Sequence, residues 1–75
     1  MTNKLESIMV ESSAIFSAEY NTEEKEMMIY FNSGSIYKYH SVPLFTWRGL
    51  FNSKSKGKFL NHFVFREFDV TRIDL

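Results

Sequence analysis

The segment Ser55-Lys56-Gly57-Lys58-Phe59 contains the residues best suited to binding an anion. Ser55 stands where it can cap a helix that begins with the residues after it. The first turn of a helix has backbone N–H groups without an intrahelical acceptor and the positive end of the helix dipole, which together favour a phosphate. Gly57 would let the anion approach the backbone, and Lys54 adds a third positive charge. A capped helix with exposed lysines and no ligand is the alternative.

The Tyr37-Lys38-Tyr39 triplet is a second candidate, because alternate tyrosines on a strand can stack on unpaired bases while a lysine binds phosphate. Two placements of the rings are open. They can face outward, or they can belong to the core with their hydroxyls bonded to the backbone. If they are buried, Tyr30 is the available aromatic residue on the outer face, beside Lys38 and His40.

The sequence shows no arrangement typical of an enzyme active site. His40 and His62 are 22 residues apart, and neither has a carboxylate at the spacing of metal ligands. The glutamates within 23–26 crowd a polar turn rather than a cleft that would shift a pKa. Ser12 and Ser13 lack an acid–histidine pair nearby, so a hydrogen-bonding role before the first strand is favoured. We expect no catalytic residue, metal site or cofactor.

Hydrophobic periodicity predicts the strands that hold these residues. The alternation over 14–20 indicates a strand with one face made of Ala14, Phe16, Ala18 and Tyr20. A polar turn over 21–26 leads to a second strand at 27–31, and a third covers 35–40.

The triplet Asn32-Ser33-Gly34 sets the register of the second and third strands. Glycine as its third residue suits a three-residue hairpin loop closed by a left-handed glycine. That loop places Ile29 opposite Tyr37 and Met27 opposite Tyr39. The core face then consists of Met27, Ile29, Phe31, Tyr37 and Tyr39. A two-residue loop would turn the strand over.

Two helices are predicted after Val42-Pro43, because proline suits the first turn of a helix. The first ends at 52–54, and its apolar stripe is Thr46, Trp47, Leu50 and Phe51. The second, capped by Ser55, runs to about Phe68, and its stripe is Phe59, Leu60, Phe63, Val64 and Phe68. The element order predicts an α+β fold: a three-stranded antiparallel meander sheet followed by two helices packed on one face.

Composition excludes several classes of protein. The chain has 75 residues, which allows a single domain over 10–75 after an irregular lead-in at 1–9. It has no cysteine, which removes disulfides and thiolate zinc sites, and a net charge of zero, which excludes a histone-like polycation. Because it shows no apolar run of membrane-spanning length and no export signal, a cytoplasmic location is expected.

Charges and aromatic residues are unevenly distributed. Residues 1–33 hold six glutamates and two lysines, a net charge of −4. Residues 34–68 hold six basic residues and one glutamate, a net charge of +5, and this basic part adds Arg48 and Arg66 to the candidate phosphate contacts. Simple solvated charges are the alternative. Thirteen aromatic residues exceed what so small a core needs, so some are expected on an interaction surface, Phe45 and Phe65 among them.

Several of these pieces occur in the order typical of one family. The chain has Val10-Glu11-Ser12-Ser13-Ala14-Ile15, then Tyr20, Asn32-Ser33-Gly34, Tyr37 and Tyr39, Val42-Pro43, Ser55-Lys56-Gly57 with Phe59 and Asn61, and Arg72-Ile73. This series resembles the KTSC domain, which is found at the C-terminus of some lysyl-tRNA synthetases and as small stand-alone proteins of bacteria and phages. The resemblance implies RNA binding without an established mechanism or catalytic residues.

Two functions follow as hypotheses. The first is a small non-catalytic module that binds RNA or another phosphate-bearing ligand. Its contacts would be Lys38, Arg48, Lys54, Ser55, Lys56, Gly57, Lys58 and Arg66, with Tyr30, Tyr37 or Tyr39 touching bases. The second is a protein–protein interaction module, either a phage or mobile-element protein that modulates a host protein or a chain that self-associates through exposed aromatic residues. No membrane partner is expected.

Overall fold

The computed structural model describes residues 4–74 as one antiparallel sheet with two helices. The elements in chain order are β1 (Leu5–Met9), β2 (Ile15–Asn21), β3 (Glu26–Phe31), β4 (Ile36–Tyr39), α1 (Leu44–Asn52), α2 (Lys56–Phe63) and β5 (Val70–Arg72). The strands lie side by side in the order β1-β2-β3-β4-β5. The α+β class and the two helices packed against the sheet are confirmed. The three-stranded sheet is wrong, because the sheet has five strands.

The two strands missing from the prediction are the two edges of the sheet. In β1 only Ile8 is half-buried, and all three residues of β5 are exposed. An edge strand that buries almost nothing has no alternating apolar pattern from which it could be predicted. The irregular lead-in is therefore wrong over 5–9, where β1 lies, and its positions 1–3 lie outside the described residues.

The hairpin between β3 and β4 forms as predicted. Gly34 has a φ of +100°, the left-handed region that glycine enters without a steric penalty. The amide of Phe31 donates to the carbonyl of Ser35 at 2.9 Å and closes the three-residue loop. The register places Met27 opposite Tyr39 and Ile29 opposite Tyr37, which confirms the core face.

A β-bulge in β2 overturns the predicted face of that strand. Ile15 pairs with Phe31 and Ser17 with Tyr30, so Phe16 is the extra residue between two successive pairs. A bulge interrupts the alternation of side chains along a strand. As a result Ile15 is buried, while Phe16, predicted to share a face with Ala18 and Tyr20, is 53% exposed. Beyond the bulge, Ala18 and Tyr20 share the buried face of the strand.

Tyr20 and Trp47 join the sheet to the helices at the centre of the core. Their rings stack with centroids 5.3 Å apart and planes 11° from parallel. The Tyr20 hydroxyl donates to the carbonyl of Val42 at 2.6 Å, and Trp47 Nε1 donates to Glu6 Oε1 at 2.8 Å. Each polar atom of this buried pair is therefore satisfied while the rings remove apolar surface from water.

The helices begin as predicted, but fewer residues of each apolar stripe are buried than the sequence predicts. In α1, Thr46, Trp47 and Leu50 are buried, whereas Phe51 is exposed. The second helix ends at Phe63 instead of about 68, because Val64 leaves the helical region with a φ of −125°. The amides of Val64 and Phe65 both donate to the carbonyl of Leu60, at 3.0 and 2.9 Å, and the second bond spans five residues, so the regular α-helical series ends here. The chain can then turn back toward β5.

The apolar residues predicted to form one stripe on the second helix are divided between the core and the surface. Leu60 and Val64 are buried and Phe59 and Phe68 pack at the margin of the core, but Phe63 is exposed. Neither helix within residues 4–74 has the length and apolar character needed to cross a membrane.

The strand β5 is fastened to β4 by the last described residues. Asp74 Oδ1 accepts hydrogen bonds from the Ile36 amide at 2.7 Å and from Arg72 Nε at 3.0 Å. The amide of Ile73 donates to the carbonyl of Ile36 at 2.9 Å. The two bonds to Asp74 stabilise its charged form, so the pKa of its carboxyl group falls to about 2, with the bond from Arg72 as the largest cause.

We expect Tyr20→Phe to lower the free energy of unfolding by about 1–2 kcal/mol, because the buried Val42 carbonyl loses its donor. Trp47→Ala should lower it by about 3–5 kcal/mol through the cavity left behind. Denaturant unfolding followed by circular dichroism measures both. Phe51→Ala, on the exposed side of the same helix, is the control and should change stability by less than about 0.5 kcal/mol. Equal effects of the three variants would contradict the stacked pair as the centre of the core.

The carboxyl group of Asp74 should titrate near pH 2 in the folded protein, as measured by carbon NMR of its side chain. Because its folded pKa lies below the ordinary value of 3.8, the bonds at β5 contribute stability above that value and lose it as the pH falls toward 2. Arg72→Ala should return the pKa toward 3.8. A native pKa already near that value would contradict the arrangement.

Candidate nucleic-acid interface

A groove of about 720 Å³ separates the loop after β1 from the start of α2. One wall is the loop 10–14, and the other is the segment 54–58 together with Asn61 on the next turn of α2. Phe31, Phe65 and Ile15 lie at the apolar side of the groove. Its size falls in the range of ligand-binding clefts.

The two walls meet where Gly57 faces Ser12. A Cβ atom placed on Gly57 would lie 3.4 Å from the Ser12 Cβ, so little space separates the helix backbone from the loop at this point. Val10, the first residue of the loop, and Ile15, which directly follows it, are both buried in the core. The core thus fixes both ends of the loop and holds its serines against the start of α2.

Hydrogen bonds shape the loop itself. Ser12 Oγ accepts from the amides of Ala14 at 3.3 Å and Ile15 at 3.1 Å, which confirms the hydrogen-bonding role expected before the first predicted strand. Asn32, in the β3–β4 hairpin, donates through Nδ2 to the carbonyls of Ser12 and Ser13 at 3.2 and 3.0 Å. The Ser13 side chain is exposed at the edge of the groove.

The start of α2 lies at Lys56, as predicted, but the capping role of Ser55 is wrong. The Ser55 side chain makes no capping hydrogen bond, and its φ and ψ of −124° and 86° leave it outside the usual cap geometry. The first intrahelical bond runs from the Phe59 amide to the Ser55 carbonyl at 3.0 Å. Among residues 4–74, none supplies a hydrogen-bond acceptor to the amides of 56–58.

Three lysines line this end of the groove. Lys54 and Lys58 are exposed, whereas Lys56 is half-buried and donates through Nζ to the Ser53 carbonyl at 2.8 Å. The first turn of α2 contains no acidic residue, and Glu11 on the opposite wall is the acidic residue that lines the groove. Lysines and helix dipole therefore give this wall a positive potential.

Three other basic residues predicted for the site lie elsewhere. Lys38 is on the outer face of the sheet, with Nζ 3.5 Å from Glu26 Oε1. Arg48 lies on α1 beside Glu6 and Phe51, and Arg66 is exposed beyond the end of α2. Neither these two arginines nor Lys38 lines the groove. The sequence stretch of charge +5 therefore does not form a single basic surface.

The tyrosines are not available as a stacking platform on one face. Tyr39 is buried and stacks on Phe65 with centroids 5.7 Å apart, and Tyr37 packs edge-on against Phe31 at 5.5 Å. Of the two placements open in the sequence, the inward one is correct. Burial raises the pKa of Tyr39 above its usual value. Phe65, expected on an interaction surface, is part of the same inner cluster.

Tyr30 lies on the outer face of the sheet, as predicted. Its hydroxyl donates to Glu19 Oε1 at 3.1 Å, and burial followed by the negative charge of Glu19 raises the pKa of its hydroxyl. His40 bridges Glu26 and Thr71 on that same face. Within the described part of the chain, no group of three or more histidine, cysteine or acidic side chains could hold a metal ion.

The pattern of residues over this fold matches a known family. The family model of the KTSC domain matches residues 11–68. This chain belongs to the KTSC domain family. The match begins in the loop that forms one wall of the groove and ends after α2, so it includes residues 11–14 of that wall and all of the opposite wall.

Relatives of this KTSC domain occur in proteins of very different length. A lysine–tRNA ligase of Nostoc sp. is 36% identical over 58 residues, which are 77% of this chain but only 10% of that protein. A protein of Tsukamurella paurometabola is 38% identical over 55 residues, 73% of this chain and 82% of that one. The crystal structure of a KTSC domain protein from Yersinia pestis superposes with a TM-score of 0.85 at 26% identity and covers 93% of this chain and 99% of that chain.

Motif pieces that are distant in the KTSC sequence meet in this groove. The serine pair of the loop faces Lys56 and Gly57 across it, and Asn61 continues the same wall. Asn32, from the hairpin motif, donates hydrogen bonds to the carbonyls of this loop. The serine pair, the hairpin and the helix start are far apart in the chain, so their spacing alone does not predict that they meet. Their common occurrence in the family motif was the signal that could have brought them together.

Asn32→Ala should lower the free energy of unfolding by about 1 kcal/mol, because the loop carbonyls of Ser12 and Ser13 lose their donor. Amide hydrogen exchange should also become faster at Ala14 and Ile15. Ser33→Ala, one residue further in the hairpin, is the matched control and should leave exchange in the loop unchanged. An effect of Ser33→Ala equal to that of Asn32→Ala would contradict the bracing role of Asn32.

Proposed function

We propose that this KTSC domain is a non-catalytic module that binds RNA by its phosphate groups in the groove between the loop 10–14 and the start of α2. The observation that carries the proposal is that Lys54, Lys56 and Lys58 share one groove with the uncapped amides of α2. Both features favour the same ligand charge, since exposed ammonium groups and free helix amides each stabilise an anion.

The residue types that line the groove favour contact with the sugar–phosphate backbone of the RNA over contact with the edges of its bases. Its polar wall is made of lysines, serines and an asparagine, which are the residue types that contact phosphate and sugar oxygens. Lys54 and Lys58 are exposed and can reach a ligand without breaking another contact within residues 4–74. Phe31 and Phe65 add an apolar surface beside the charged wall, against which an unpaired base could rest.

The similarity to part of a lysine–tRNA ligase supports RNA as the source of the phosphate. The matched region is 10% of that protein, so its aminoacylation activity is not proposed for this chain. The binding module itself requires only the KTSC region. The other predicted contacts, Lys38, Arg48, Arg66 and the three tyrosines, are left out of the proposed contact set because they do not line the groove.

The double variant Lys54→Glu/Lys58→Glu should weaken binding to a short single-stranded RNA at least tenfold at low salt, measured by fluorescence anisotropy. For the unmodified chain, three phosphate contacts predict a slope of about −2 for log affinity against log salt. Inorganic phosphate added as a competitor tests whether phosphate chemistry alone accounts for the affinity. Displacement of the RNA at millimolar phosphate would support the phosphate groups as the bound part of the ligand, whereas the double variant tests the groove as the place of binding.

Arg48→Glu/Arg66→Glu is the control, since it changes the net charge equally but lies outside the groove. It should change the affinity by less than threefold. The absence of RNA binding by the unmodified chain at low salt, a flat salt titration, or an equal loss in the arginine control would each contradict the proposed function. Circular dichroism of both double variants checks that the fold is kept.

A further inference from the structure

A second groove, of about 540 Å³, lies between α1 and α2 on a surface separate from the lysines. It is lined mainly by the rings of Phe45, Phe59, Phe63 and Phe68, with Gly49 at its base and Glu67 at its rim. A Cβ atom on Gly49 would come within 2.8 Å of the Phe59 ring, so the absent side chain is what lets that ring lie against the backbone of α1. Phe59 and Phe63 pack together with centroids 4.9 Å apart.

Phe45 projects from the rim of this groove. It is 77% exposed, more than any other large apolar residue within residues 4–74, and Phe63 is 56% exposed. One surface therefore carries both a protruding ring and an adjacent groove lined by rings. A two-fold axis through such a surface would place each protruding ring in the groove of the other molecule, which is the self-complementarity that a symmetric dimer requires.

We propose that this phenylalanine groove is a homodimer interface in which Phe45 of each chain inserts between Phe63 and Phe68 of the other. The geometry favours a second copy as the occupant because ring and groove occur together on one face. The net charge of zero adds no overall repulsion between copies. This interface is independent of the proposed RNA groove, since the two share none of their lining residues.

The area available fits a weak dimer. The exposed parts of Phe45 and Phe63 amount to roughly 250 Å², and the smaller exposed parts of Phe59 and Phe68 raise the apolar surface to at most roughly 400 Å². Since interfaces are about 60% apolar, a polar rim would bring the area to roughly 700 Å² on each chain, close to the roughly 800 Å² of a standard interface. We therefore expect a dissociation constant on the order of 10–100 µM.

Sedimentation equilibrium from about 1 to 500 µM tests the proposal, since this range brackets the dissociation constant expected for an interface of this size. The unmodified chain should change from monomer to dimer as its concentration rises through the range. Phe45→Glu, at a largely exposed position, should weaken association at least tenfold without loss of the fold. Phe63→Glu changes the wall of the groove that would contact Phe45 of the other chain, and it should weaken association similarly. This second variant tests the proposal even if Phe45→Glu is poorly folded.

Phe51→Glu is the matched control, because Phe51 is 54% exposed on α1 but lines a different surface. It should leave the dissociation constant within about twofold. A strictly monomeric unmodified chain would overturn the proposal, as would dimerisation unaffected by Phe45→Glu and Phe63→Glu or weakened as strongly by Phe51→Glu. Lys54→Glu/Lys58→Glu should leave dimerisation unchanged, so failure of the RNA proposal is distinguishable from failure of this one.

Discussion

The stacked pair of Tyr20 and Trp47 is the contact on which the arrangement of the two layers depends. Tyr20 belongs to the sheet and Trp47 to α1, and both are completely buried. The Tyr20 hydroxyl bonds to the carbonyl of Val42, just before α1 begins, so the same side chain fixes the helix through its ring and the preceding turn through its oxygen. This residue pair therefore fixes the start of α1 against the sheet.

A second group of rings anchors the other end of the helical layer. Phe65 follows α2 and stacks on Tyr39, while Phe31 packs against both Phe65 and Tyr37. This group fixes the end of α2 over the middle strands, so its first turn is held opposite the serine loop. The aromatic residues therefore form two groups: buried rings that connect the two layers, and exposed rings that lie outside the core.

The central part of the fold could be predicted from the sequence because it buries apolar residues in regular patterns. The hairpin at Gly34, the inward tyrosines of β4 and the start of α2 all follow from local rules for turns, strand alternation and helix starts. The edge strands, the bulge at Phe16 and the end of α2 do not, because they depend on neighbours distant in the chain or bury too little to leave a pattern. For the site, local sequence located the lysines of α2 but not Ser12 opposite them, since that pairing exists only once the core has closed.

The position of β5 has a consequence for the order of folding. The first four strands are joined by short connections, so each pairing closes a small loop. The pairing of β4 with β5 instead spans both helices, and Tyr39 meets Val70 across thirty intervening residues. A contact of such high sequence separation carries a larger loop-closure entropy cost than the hairpins do, so we expect it to form after them. The last strand is therefore expected to pair with a sheet that has already formed. Its position is held by Asp74, which accepts hydrogen bonds from Arg72 and from the backbone amide of Ile36.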